Sequence, residues 1–165
     1  MSARVRGESG FALVEMLVAI VVINIGLLAI LLSLTSGMTT LRRSAETSTA
    51  SAVADVQLEK YRAVAFTSIY LDTAALGLAS ADPTYNQDAA YSGTQVNQSC
   101  GTLTAVCTPT QTVTGPDGRS YRVDTYIVWT TPAGGSAVKQ ITVVVRKSGA
   151  TATLARVVST AGADF

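Results

Sequence analysis

One apolar segment near the N-terminus constrains this chain more than any other feature of its sequence. Residues 11–34 read FALVEMLVAIVVINIGLLAILLSL, and Glu15 is the only charged residue among them. A helix of that length reaches roughly 36 Å, which is enough to cross a hydrocarbon core of about 30 Å with some tilt. A buried core helix is usually shorter and amphipathic, whereas this segment is apolar on every face. The sequence therefore predicts a membrane-spanning helix over residues 11–34.

A secretory signal peptide is the closest alternative, because it too places basic residues, here Arg4 and Arg6, before an apolar segment. The apolar core of a signal peptide is usually about half as long and ends at a small-residue cleavage site. This segment instead continues through LLAILLSL, so we interpret it as a retained anchor. Because Arg42 and Arg43 follow the segment, charge alone does not decide which of its ends faces the cytoplasm.

Two cysteines, Cys100 and Cys107, lie close together in a polar, turn-rich stretch. The chain has no histidine and the neighbourhood offers no further set of metal ligands, so we expect no metal site there. A local disulfide is the preferred interpretation, and two reduced thiols are the alternative. Closing the loop would stabilise the fold by roughly 2–3 kcal/mol on the chain-entropy model. A disulfide would also indicate an oxidising compartment outside the cytoplasm, with the short N-terminal leader inside.

The residues at the start of the apolar segment carry a family resemblance. The string GFALVE at residues 10–15, followed by the apolar run, resembles the class III signal of type IV pilins and pseudopilins. The resemblance implies that a prepilin peptidase cleaves between Gly10 and Phe11, removes residues 1–10 as a leader, and methylates the new N-terminus at Phe11. The longer string LVEMLVAIVVINIGLL is most similar to PilV-type minor pilins, with pseudopilins close behind. Glu8 departs from the family pattern, since such leaders usually carry a net basic charge near the cleavage site.

Glu15 has a physical role that does not depend on the resemblance. A carboxylate in a membrane helix costs about 2.5–3.5 kcal/mol on insertion scales, so it requires a partner. After cleavage the amine of Phe11 would lie about one helical turn from Glu15. The amine and the carboxylate can neutralise each other within one subunit or between neighbouring subunits. Between neighbours their attraction would set the axial register, so we expect Glu15 to act in assembly. A protonated side chain, or one that extends to the lipid headgroups, is the alternative.

Residues 35–65 lack proline and are predicted to continue the helix outside the membrane, with a charged outer face around Glu59, Lys60 and Arg62. The candidate inner positions of this part are Leu41, Ala45, Ala52, Val53, Val56 and Ala63. Residues 66–118 are rich in Gly, Ser, Thr, Asp and Asn, and they are predicted to form a variable loop region that contains the disulfide.

Residues 119–165 contain three segments typical of strands, separated by turn residues. In the first of them Tyr121, Val123, Thr125, Ile127 and Trp129 alternate onto one face. These segments predict an antiparallel β-meander laid against the helix. The whole chain is therefore predicted to be α+β, in agreement with the fold that the resemblance implies: a pilin-like ladle whose long N-terminal helix packs on a small antiparallel sheet of three to four strands.

The sequence predicts neither an enzyme nor a cofactor. Without histidine, the Ser-His and Cys-His arrangements that activate nucleophiles are missing, and the chain contains no phosphate-binding loop motif. A Ser-Lys pair stays open, although Lys60, Lys139 and Lys147 occupy positions that we expect to face solvent. Without its leader the chain would keep ten basic and ten acidic residues. DNA is therefore not supported as a partner, and binding it would require a basic patch built by the fold.

The resemblance implies a structural subunit, a minor pilin of a type IV pilus-like filament. Its implied partners are other pilin subunits, the prepilin peptidase, the inner-membrane assembly platform and, before assembly, membrane lipid. It would be a single-pass protein of the cytoplasmic membrane with its C-terminal domain outside, and part of a cell-surface filament after assembly. The alternatives are a pseudopilin of a type II secretion or DNA-uptake machine, and an uncleaved, single-pass anchored adhesin or ligand-binding domain.

Overall fold

The computed structural model describes residues 9–163, and for residues 9–12 it describes the backbone alone. Residues 1–8 of the predicted leader therefore lie outside the described residues. The chain divides into two compact units between Ser44 and Ala45.

Helix α1 extends from Ser9 to Arg62, which confirms the predicted long helix. In the first unit, every described side chain from residue 13 to residue 44 is exposed, including the entire apolar run. Among the described residues, α1 is the helix that is long and apolar enough to cross a membrane. Apolar side chains exposed on all faces are stable only in an apolar environment, which lipid or neighbouring helices would provide.

In the second unit, the last part of α1 packs on a sheet through Ala50, Ala54, Leu58 and Tyr61, which are almost completely buried. This face differs from the one predicted. Five of the six predicted inner positions are exposed, and Val53 is only partly buried; the exposed ones are Leu41, Ala45, Ala52, Val56 and Ala63. The prediction was wrong because alanine, serine and threonine occupy about half of residues 35–65, and alanine is compatible with either face of a helix. The bulky Leu58 and Tyr61 are the residues that orient the helix.

The sheet is a four-stranded antiparallel meander in which each strand pairs with the next one along the chain, which confirms the predicted α+β layout. Its strands are β3 (Thr110–Thr114), β4 (Ser120–Thr130), β5 (Val138–Lys147) and β6 (Thr153–Ala161). The last three strands coincide with the three strand-like segments predicted within residues 119–165. Strand β3 lies inside the segment that was predicted to be loop. The sequence did not indicate this strand because TQTVT is short and lacks an alternation of apolar and polar residues.

The tight turn before β4 brings the sheet close to α1. The N–H of Gly118, whose φ is +73°, donates to the carbonyl oxygen of Gly115 at 3.0 Å and closes the turn. A Cβ on Gly115 would lie 2.7 Å from the Tyr121 ring and 2.9 Å from the Thr49 methyl group. The turn can therefore lie against the helix only because residue 115 has no side chain.

Short elements between α1 and β3 cover the other face of the sheet. A 3₁₀ turn (Phe66–Ser68) is followed by β1 (Leu71–Asp72), α2 (Thr73–Ser80), α3 (Pro83–Asn86) and β2 (Asn97–Gln98), and β1 pairs with β2 in parallel. Ala79 and Tyr85 pack with Tyr126 and Val144 of the sheet. Strand β4 is therefore buried on both faces in its middle, whereas Trp129, near its end, is 53% exposed.

Candidate functional site

The residues predicted for processing and assembly lie at the beginning of α1. Gly10 and Phe11 are part of the helix, and the side chain of Phe11 lies outside those that the structure describes. Glu15 is exposed, with exposed apolar neighbours such as Val14 and Met16. The carboxylate would thus enter the same apolar environment as these neighbours, where a charge is stable only with a partner.

Cys100 and Cys107 form the predicted disulfide, with their Cα atoms 6.6 Å apart. Asp72 holds both ends of the bridged loop: its N–H donates to the carbonyl oxygen of Cys107 at 2.7 Å, and its Oδ2 accepts from the N–H of Cys100 at 2.9 Å. Its Oδ1 accepts from the N–H of Ala75 and caps helix α2. These bonds from the N–H groups of Ala75 and Cys100 lower the pKa of Asp72 below its ordinary value.

The disulfide loop is also bonded to helix α1. Gln57 is almost completely buried, and its Nε2 donates to the carbonyl oxygen of Ala105 at 2.5 Å. Gln111 of β3 reaches the same carbonyl oxygen at 3.4 Å. The loop between the cysteines therefore connects α1, β3 and the start of α2.

We expect removal of the disulfide to lower the free energy of unfolding by roughly 2–3 kcal/mol, because the bridge closes a short loop in the unfolded chain. The double variant Cys100→Ser/Cys107→Ser should show this loss in urea unfolding followed by the fluorescence of Trp129. Treating the wild-type chain with a reductant should give the same loss, and the double variant should not respond to the reductant. An unfolding midpoint that stays unchanged in both experiments would contradict the expectation.

A network of ion pairs connects the sheet to the segment that covers it. Asp124 is completely buried and accepts from Arg146 of β5 and from Nε of Arg122, the latter at 2.9 Å. Arg122 also donates to Asp82 at 2.6 Å, and the buried Arg146 donates to Asp88. At the sheet edge, Arg156 donates to Asp88 at 2.7 Å. Carboxylates and guanidinium groups thus alternate from α3 across three strands.

The pKa shifts follow from these contacts. The N–H of Thr84 and the guanidinium of Arg122 lower the pKa of Asp82. Burial by itself raises the pKa of Asp88, but the N–H of Ala90 and the guanidinium of Arg156 outweigh it, so the pKa is lowered. Both carboxylates are therefore charged at neutral pH. Their ion pairs hold the segment between α1 and β3 against the sheet.

Lys139 corrects one prediction, because it faces the interior instead of solvent and is only 5% exposed. Its ammonium donates to the carbonyl oxygens of Phe66 and Ile69, each at 2.8 Å. It also lies 4.5 Å from the centroid of the Phe66 ring and 5.5 Å from that of Trp129. Loss of hydration lowers its pKa. Lys139 therefore holds the turn after α1 against the end of the sheet, while Lys147 is exposed as predicted.

Sequence reasoning missed the ion network as a group. The one available signal was Arg122 and Asp124, which are two residues apart on a strand and so share a face. Asp82, which pairs with Arg122, and Asp88, which pairs with Arg146 and Arg156, come from the segment predicted as loop, where no pattern indicated contact with the sheet. Among residues 9–163, no group of three or more acidic or cysteine side chains is placed to hold a metal ion.

A family model for the prokaryotic N-terminal methylation motif matches residues 5–31. No curated protein and no solved structure is significantly similar to the chain. The matched residues include the GFALVE string and most of the apolar part of α1. The N-terminal segment thus carries a methylation motif that is typical of type IV pilins and pseudopilins. The long helix packed on an antiparallel four-stranded sheet is a pilin-like layout.

Proposed function

We propose that this chain is a minor pilin that is cleaved between Gly10 and Phe11, methylated at Phe11, and assembled through α1 into a type IV pilus-like filament. The observation that carries the proposal is the methylation motif at residues 5–31, which leads directly into a helix whose apolar side chains are exposed. Such a helix can move from lipid into a bundle of like helices without exposing its apolar surface to water.

In this proposal Glu15 directs assembly. The new amine of Phe11 is the cation that cleavage creates within one helical turn of the carboxylate. An ion pair between neighbouring subunits would neutralise both charges inside the apolar interior. The two groups meet only at one axial offset between the two helices. The partners are therefore other pilin subunits, with the prepilin peptidase and the inner-membrane assembly platform acting before them.

The disulfide supports placing the second unit outside the cytoplasm, because disulfides persist in oxidising compartments. The leader would then be on the cytoplasmic side of the membrane. The completed filament would carry the sheet, its covering segment and the disulfide loop on the cell surface.

The proposal is tested by the intact mass and N-terminal sequence of the chain from cells with and without prepilin peptidase. We expect the chain to begin at methylated Phe11 only when the peptidase is present. Gly10→Val should retain residues 1–10 in both strains, since the residue before the cut is changed. Gly7→Val, a matched change inside the leader, should be processed like the wild type. A wild-type chain that keeps its leader in both strains would contradict the proposal and favour an uncleaved, anchored adhesin or ligand-binding domain.

A pseudopilin carries the same motif and differs in its partners, so a second measurement separates the two roles. Deleting the chain should reduce the number of surface pili, and the chain should co-purify with sheared pili. If pili are unaffected while protein secretion or DNA uptake fails, the chain is a pseudopilin of one of those machines.

A further inference from the structure

The middle of the apolar run contains one side-chain amide. Nδ2 of Asn24 donates to the carbonyl oxygen of Ile20 at 2.8 Å. That bond uses one N–H, and the described residues provide no donor for the amide oxygen and no acceptor for the second N–H. Asn24 is exposed on α1, and no water is present in the core of a bilayer to satisfy these groups. The amide therefore requires a polar partner at its own depth in the membrane.

Asn24 lies within a row of side chains spaced alternately by three and four residues, which we call the Asn24 seam. Inside the apolar run the seam consists of Leu17, Ile20, Asn24, Leu27, Leu31 and Leu34. This spacing places all of them along one side of a helix that winds around a partner, and Asn24 occupies an a position of the heptad. Every other face of the run is apolar as well, so the spacing alone does not select this one.

The seam continues where the chain becomes polar, and this continuation selects the face. Residues 35–44 read TSGMTTLRRS, and their two large apolar side chains are Met38 and Leu41. Both fall on the seam, and they are 60% and 72% exposed. Large apolar side chains placed in register with Asn24, beyond the apolar run, indicate a helix partner along this face.

We propose that the Asn24 seam binds the same seam of a second copy of this chain, as a parallel, in-register pair of helices in the membrane before assembly. The inference rests on the proposed membrane anchoring. A second copy with the same orientation brings its own Asn24 to the same depth, and an amide is both a donor and an acceptor, so two of them satisfy each other. An asparagine at an a position is known to fix register in paired helices.

The pairing leaves the assembly residue free. Glu15 is nine residues from Asn24, which at about 100° per residue places it on the opposite side of a straight helix. Two copies could therefore be joined along the seam while each Glu15 stays available for a different neighbour.

The first test measures dimerisation of the processed full chain in lipid vesicles, by energy transfer between labelled copies as the ratio of protein to lipid is varied. We expect Asn24→Leu to raise the dissociation constant of the dimer by roughly fivefold to thirtyfold. Ser33→Leu is the matched control, because Ser33 is the polar residue on the opposite side of the same run. Ser33→Leu should leave the dissociation constant of the dimer within about twofold of the wild-type value, since this change removes no contact of the Asn24 seam. If Asn24→Leu associates as tightly as the wild type, the proposal is wrong.

The second test maps the face by oxidative crosslinking in membranes of cells that lack other pilins. The native cysteines are already bonded to each other, so a single added cysteine supplies the reactive thiol. Met38→Cys should form dimers, whereas Ser36→Cys, two residues away and off the seam, should not. Equal crosslinking of both variants, or crosslinking that appears only when other pilins are present, would overturn the proposal. A chain that is missing from the membrane fraction would instead contradict the proposed function.

Discussion

Replacing Asp124 by alanine is expected to lower the free energy of unfolding by about 3–5 kcal/mol. Asp124 is completely buried and accepts hydrogen bonds from Arg122 and Arg146, which are directly opposite each other on neighbouring strands. Without the carboxylate, two guanidinium groups would face each other, and Arg146, almost completely buried, would keep only Asp88 as a charged partner. The loss is large because a buried charge left without compensation is more costly than the intact pair is stabilising.

Urea unfolding of the full chain in detergent micelles, followed by the fluorescence of its single tryptophan, measures this loss. Glu59→Ala is the matched control: it also removes a carboxylate from an arginine pair, but Glu59 and Arg62 have side chains 65% and 60% exposed. It should cost less than about 1 kcal/mol. Asp124→Asn keeps the shape of the side chain and some of its hydrogen bonds, so its loss of unfolding free energy should lie between those of Asp124→Ala and Glu59→Ala. If Asp124→Ala unfolds at the same urea concentration as Glu59→Ala, the network does not hold the sheet to its covering segment.

The features that sequence predicted correctly depend on strong local patterns. The apolar run predicts the first part of α1 by composition alone, alternation predicts β4, and strand-like segments between turn residues predict β5 and β6. The disulfide follows from two cysteines close together in a chain without histidine. In each case the signal lies within one short stretch of the chain, 24 residues for the apolar run, and needs no knowledge of what packs against it.

The features that sequence missed depend on contacts between distant residues. Asp88 contacts Arg146 and Arg156, which follow it by 58 and 68 residues in the chain, and nothing around it in the sequence indicates those contacts. Lys139 lies on the same face of β5 as Ile141 and Val143, and it can be buried there because the turn at Phe66 brings two carbonyl oxygens to its ammonium. A charged residue is expected at the surface unless it is paired, and here its partners are backbone groups, which no residue pattern reveals.

Filament incorporation is expected to fall by roughly tenfold or more when Glu15 is replaced by leucine, because losing an attraction of even 1.4 kcal/mol per contact changes an equilibrium tenfold. The same change should make membrane insertion more favourable, by about 2.5–3.5 kcal/mol, since it removes a charge from the apolar run. The two effects have opposite signs, and this separates a role in assembly from a role in anchoring. If Glu15 has no role in assembly, Glu15→Leu would insert into the membrane more favourably and would enter filaments in unchanged amounts.

The measurement compares the amount of the chain in sheared pili with the amount in the inner membrane, after confirming that Phe11 is the N-terminus in every variant. Glu15→Gln keeps the size of the side chain and removes the charge, so it should fail in assembly nearly as severely as Glu15→Leu. Met16→Leu, at the neighbouring exposed position, should behave like the wild type. Normal incorporation of Glu15→Gln would show that the carboxylate's charge is not what joins subunits. The exposed apolar faces of α1 would then be the remaining source of attraction between neighbouring helices.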